Sequence, residues 1–226
     1  MRNGDLTIST AGAVVSGLDV RGCVTVTAKS VTIRNVKVTG SCVNLIQNKS
    51  TGLVIDHVTL VGGGPDTEGI GWSDFTVTNA DISNVGDGIR ANGNVVVRDS
   101  YIHGLVSSAS SHNDGIQVTE GSNITIEHNA IENANDQTSA IMLGADQGDI
   151  ANILVQNNLL NGGGYALYGG DRPPSGNTIS NIRLVDNVFG KLFYANCGQY
   201  GPITATNDSR ITVSGNVWQG TSTLVN

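Results

Sequence analysis

Three acidic residues share one local setting: Glu68 in EGI, Asp87 in DGI and Asp114 in DGI, each followed by glycine and isoleucine. Three positions beyond the two aspartates stand Arg90 and Gln117, and His112 precedes Asp114 by two, closing the small-residue loop LVSSASS. Carboxylates brought close together raise one another's pKa or recruit a cation, and a pair about 5 Å apart is the spacing of a retaining glycosidase. An imidazole titrates near neutral pH and suits a general base. A guanidinium stays protonated, so between carboxylates it suits an ion pair better than a base. A single Asp-Gly pair need only cap its turn by accepting backbone N–H bonds. The acids are 19 and 27 residues apart, so everything depends on the elements between them.

Those elements repeat. An eight-residue pattern, apolar at its first, third and eighth positions, runs as AVVSGLDV from Ala13, VTIRNVKV from Val31, LVIDHVTL from Leu53, FTVTNADI from Phe75 and VVVRDSYI from Val95. It continues as ITIEHNAI from Ile124, ILVQNNLL from Ile153, IRLVDNVF from Ile182 and ITVSGNVW from Ile211, the last five copies spaced by 29 residues. Alternation over the first three positions reads as a strand with one face inward. The polar residues after it read as a bend. A second short strand follows in each repeat, as in CVTV from Cys23, CVNLI from Cys42, GIQV from Gly115, AIML from Ala140, ALYG from Ala166 and PITA from Pro202. Strands at this period, with no 3.6-residue pattern, exclude a helical solenoid and predict an all-β fold, a single-stranded parallel β-helix of about nine rungs. Rungs at the interstrand spacing make a rod on the order of 40 Å long, one domain over residues 1–226.

Stacking turns sequence columns into spatial ones. Asn129, Asn158, Asn187 and Asn216 fall at the sixth position of successive copies and predict a structural amide ladder. Glu68, Asp87 and Asp114 become a line of acids about 5 Å apart, and Gly71, Arg90, Gln117, Met142 and Tyr168 become a neighbouring outward column. Asp87, Asp114, Arg90 and His112 are the expected catalytic set, with Glu68 and Gln117 beside them for substrate. Further along, Tyr165, Tyr168, Asp171 and Arg172 surround the glycines of NGGGYALYGGD, and Lys191, Phe193, Tyr194 and Tyr200 follow one rung later. Aromatic rings among charges predict a platform for sugar rings.

Composition narrows the partners. A formal charge of -7 without a basic run argues against nucleic acid. No stretch is apolar enough to span a bilayer, and MRNGDLTIS lacks the apolar segment of a signal peptide. The expectation is a mature secreted form, a piece of a longer protein or a virion component, in each case extracellular or virion-borne. Three cysteines leave one over. Cys23 and Cys42 open the second strands of neighbouring rungs and face each other, compatible with a disulfide or with two stacked thiols. No CxxC spacing exists, which argues against zinc.

VTIRNVKV, ITIEHNAI and ILVQNNLL, the asparagine column and SSHNDGIQV resemble right-handed parallel β-helix proteins of the pectate-lyase-like superfamily. The stretches SAIMLG, NGGGYALYGGD and FYANCGQYGP are similar to actinobacterial secreted β-helix proteins and phage tail proteins. That resemblance implies a right-handed coil, also the general preference of parallel crossovers, and a polysaccharide or cell-wall glycan as partner. For a lyase it implies a calcium ion on Asp87 and Asp114, with Arg90 or a neighbour taking the C5 proton. Two function classes stand: a polysaccharide lyase or glycoside hydrolase, or a non-catalytic glycan-binding rod of a phage tail or adhesin, which the resemblance allows to be a homotrimer.

Overall fold

A computed structural model of the chain describes residues 1–109, 111–171, 176–204 and 209–225. Every strand pairing between rungs is parallel, and among the described residues antiparallel bridges occur only at Ser139 with Gly163, Tyr194 with Cys197 and Val217 with Leu224. The repeat pattern is the register itself. Val95 pairs with Ile124, Ile124 with Ile153, Ile153 with Ile182 and Ile182 with Ile211. Leu53, Phe75 and Val95 are likewise in line. Nine described strands form this first column, from Val14–Ser16 to Ile211–Ser214.

Three columns enclose one aliphatic core. The first strand of each repeat contributes Ile33, Ile55, Val77, Val97, Ile126, Val155 and Leu184, all fully buried. The short strand past the bend contributes Val38, Leu60, Ile82, Ile102, Ile131, Leu160 and Phe189, and the third column contributes Ile46, Ile70, Ile89, Ile116, Ile141 and Leu167. Each such side chain is worth about 1.5–3 kcal/mol when taken from water. In two early rungs Leu53–Trp72 and Phe75–Ala91 run on through their bends as continuous strands, with register shifts between Val61 and Gly64 and between Gly64 and Glu68.

The bend has a conformational cause. The fifth residue of successive copies, Asn35, His57, Asn79, Asp99, His128, Asn157 and Asp186, sits at φ between 50° and 56°. Asn, Asp and His tolerate this left-handed turn better than other side chains. His57 and His128 are therefore bend residues, exposed beside Asp56 and Asp99. Directly after the bend the predicted ladder forms: Asn129, Asn158 and Asn187 each donate from Nδ2 to the next Oδ1 at 3.0 Å. Each of those Oδ1 atoms also accepts the preceding asparagine's backbone N–H. The remaining amide proton of each goes to a strand carbonyl, Val97, Ile126 or Val155.

One local feature differs from the sequence reading. Cys23 and Cys42 are bridged, with Cα atoms 6.3 Å apart, yet Val24 pairs with Ile46, so Cys42 lies in the turn ahead of its strand rather than opening it. The register was misread because both cysteines head similar apolar runs. At the other end the tail folds back over the last rung, where Val225 donates to the Asn216 carbonyl and is itself buried.

Candidate functional site

The acids do stand in line. Glu68 pairs with Asp87, and the register of Ile89 with Ile116 brings Asp114 next. The row extends at both ends, because Asn44 pairs with Glu68 and Ser139 with Asp114. Gly88 and Gly115 follow the aspartates because the rungs stack too tightly for a side chain: a Cβ on Gly88 would strike the Gly115 carbonyl oxygen, and one on Gly115 would strike Ile131 and the Ala140 carbonyl.

Each aspartate divides its two oxygens between structure and surroundings. Asp87 Oδ1 accepts the backbone N–H of Asp114 at 2.9 Å, while Oδ2 lies 3.6 Å from the Arg90 guanidinium. Asp114 Oδ1 accepts both the N–H and the hydroxyl of Ser139, at 3.0 and 2.6 Å, and Oδ2 accepts from Gln117 Nε2 at 3.0 Å. Neither bond caps the aspartate's own turn; each ties its rung to the next, so a structural bond and a charged row are present in the same residues. Arg90 lies closer to Glu68, 3.2 Å from Oε1, and its guanidinium carbon is 5.1 Å from the centre of the Trp72 ring. Asn44 braces this end, donating to Glu68 Oε2 and accepting from Trp72 Nε1 at 3.3 Å.

Burial sets the electrostatics. Asp114 is 1% exposed, and loss of solvent, with the Asp87 charge adding, pushes its pKa up to about 7 against the bonds from Ser139 and Gln117. Burial also raises Asp87, opposed by the Asp114 N–H, Arg90 and His112. Glu68 is raised by burial, with Arg90 opposing and Asp87 assisting. With side chains 14% and 10% exposed, Glu68 and Asp87 present the row to solvent. Asp114 lies beneath it.

The outward column is continuous from Gly71 through Arg90, Gln117, Met142 and Tyr168. Past Gln117 it enters an open cleft of about 610 Å³ lined by His112, Asp136, Thr138, Met142, Asp146, Tyr168 and Tyr200. Tyr165 packs edge-on against Tyr168 at 5.6 Å and at a tilt against Tyr200 at 5.9 Å, so three of the tyrosines cluster. His112 is exposed at the cleft and held there by its neighbour: fully buried Asn113 donates to the Val106 carbonyl and accepts Asn133 Nδ2 on its own carbonyl. Tyr194 borders the cleft on its Asp136 side, its hydroxyl donating to the Ala134 carbonyl. Lys191 is not part of it. Its ammonium sits 4.5 Å from the Trp218 ring in a separate hollow, where the cation–π contact and Leu192 hold it. Asp171 closes the strand Tyr165–Asp171, and Arg172 lies outside the described residues.

Sequence reasoning missed Asn44, Trp72, Ser139 and Asn113. Asn44 and Ser139 stand in the row and Trp72 one residue beyond the outward column, and none of them shares the acid-Gly-Ile setting that marked the acids.

Calcium does not fit the row as placed. It takes six to eight oxygens, whereas Oδ1 of both aspartates is engaged by the next rung and Arg90 occupies the space between Glu68 and Asp87. Among the described residues the one group of three ligand-type side chains within mutual reach is Asp5 with the bridged Cys23 and Cys42.

The family model for the right handed beta helix region matches residues 16–222. Two solved structures share the fold. The Dettilon tailspike protein (gp208) is 13% identical with a TM-score of 0.55, over 96% of this chain and 60% of that one. The tailspike protein gp49 from Acinetobacter baumannii bacteriophage Fri1, a capsular polysaccharide depolymerase, is 10% identical with a TM-score of 0.52, over 94% of this chain and 57% of that one. The chain therefore spans less than two thirds of either. No curated protein matches the sequence.

Proposed function

Because this chain belongs to the right-handed β-helix family, a scaffold that carries sites rather than dictating them, we propose that it cleaves an extracellular or cell-wall glycan by hydrolysis at the Glu68–Asp87 pair. One observation carries this reading: two carboxyls raised by burial stand one rung apart with a guanidinium between them. One rung is about 4.8 Å, close to the separation at which one carboxyl protonates the leaving oxygen and its partner attacks.

Asp87 is the acid, since it is the more buried of the two. Glu68, closer to Arg90, is the ionised partner. Arg90 fixes both and takes no proton. Asp114, beneath them, is a positioning residue: its backbone N–H holds Asp87 Oδ1, and its own raised carboxyl limits the negative charge at the row. His112, Gln117, Tyr165, Tyr168 and Tyr200 hold sugar along the cleft, with Tyr194 at its border. The tailspike likeness supports a glycan partner and a virion or extracellular setting as part of this proposal.

One observation favours binding without cleavage: both aspartates already cap the next rung. Digestion of neutral and uronate polysaccharides with and without chelator decides between the readings. Hydrolysis releases reducing ends without an unsaturated product and survives chelation. An inert protein that forms a trimer in solution would favour the tail rod.

A further inference from the structure

The charge of the groove points to the class of glycan, an inference that rests on the site proposed above. Four acidic side chains line this face, Glu68 and Asp87 in the row and Asp136 and Asp146 at the cleft, with Asp114 beneath them. Arg90 and His112 are the basic side chains among the described residues that form the row and cleft, and Arg90 is already committed to Glu68, Asp87 and the Trp72 face. Met142, Tyr168 and Tyr200 are the larger apolar side chains lining the cleft at this face. A uronate laid along this path would bring a carboxylate against acids on a partly desolvated face where, among the described residues, Arg90 is engaged and His112 is the one other basic side chain. An ammonium on a hexosamine would instead find Asp136 and Asp146, both exposed and without an ion pair among the described residues.

We infer that the glycan crossing this face carries no carboxylates there, and that an amine-bearing hexosamine polymer is the substrate class it fits best. Titration calorimetry with length-matched oligomers of glucosamine, N-acetylglucosamine and galacturonate tests this directly. The expected order is amine, then neutral, then uronate, the outer pair separated by about tenfold or more at low salt and converging at high salt. Asp136→Asn combined with Asp146→Asn, two exposed changes checked for an unaltered Tm, should narrow that margin by about threefold or more. Oligogalacturonate binding as tightly as the amine oligomer, or none of the three binding, overturns the inference. Reducing-end release is scored separately: the expected binding order without cleavage retains the substrate class and rejects the hydrolase, whereas unsaturated products from galacturonate reject the substrate class.

Discussion

The molecule holds two buried polar columns built on opposite rules. In the strictly periodic stretch, Asn129, Asn158, Asn187 and Asn216 repeat one residue at one position, and an amide both gives and takes, so each rung satisfies the next. The other column runs Asn44, Glu68, Asp87, Asp114 and Ser139 through rungs of unequal length. A carboxylate only accepts, so neighbouring acids cannot satisfy one another and must draw on backbone N–H groups, Arg90 and Gln117. A column of like amides closes on itself and leaves nothing over. A column of unlike groups keeps charge, raised pKa values and exposed oxygens, which are the means of reaction.

The comparison predicts its largest effect at Asp87. Asp87→Asn retains an oxygen for the Asp114 N–H but loses the titrating group, so glycan cleavage should fall by about 10²- to 10⁴-fold with little change in Tm. Retained turnover would place the chemistry elsewhere on the rod. Next is the pH dependence of stability. Asp114 binds its proton more tightly folded, at about 7, than at its ordinary 3.8, so from about pH 4 to 7 the native state carries more protons than the unfolded one. Stability should therefore decline as pH rises through that window and level off above it, by at most about 4 kcal/mol at roughly 1.4 kcal/mol per unit. In Asp114→Asn, where the new side chain still accepts from Ser139 and Gln117 can turn its amide, this decline should shrink. Urea unfolding of both proteins across that range checks it.

How far each column was legible follows from the same contrast. The period of 29 residues specified the register from Val95 to Ile211, and a self-matching asparagine column is readable because its partners are copies of itself. The line of Glu68, Asp87 and Asp114 was legible from EGI and DGI. Its partners were not, since Asn44, Trp72 and Ser139 belong to rungs of other lengths and share no motif with the acids. Lys191 shows the other limit: one rung fixes where a backbone passes, but a long side chain chooses its own neighbour, here Trp218.

Within the periodic stretch, Asn158→Ala removes the acceptor of the Asn129 N–H and the donor to the Ile126 carbonyl, both buried. A cost of about 3 kcal/mol is expected in urea unfolding, with catalysis per folded molecule unchanged. A similar cost at Asn187 would show that the ladder acts as a series of equivalent links.

The smallest effect is expected at a second ladder, on the outside of the rod. Asn94, Asn123, Asn152 and Asn181 are also spaced by 29 residues, and each Nδ2 from Asn123 onward donates to the Oδ1 before it, at 3.1, 3.3 and 2.9 Å. The pattern matches the buried ladder, but these amides are exposed, so water replaces any bond that is lost. They also share a backbone constraint, φ between 51° and 62°, which glycine meets without strain. Asn152→Gly should therefore change stability by less than about 0.5 kcal/mol, the lost amide contacts offset by relief of the left-handed backbone. If it cost as much as Asn158→Ala, the exposed asparagines would be holding the rungs together by side-chain bonding. If it is neutral, the 29-residue recurrence of asparagine outside is a signature of backbone conformation, and burial alone makes the inner column a structural ladder.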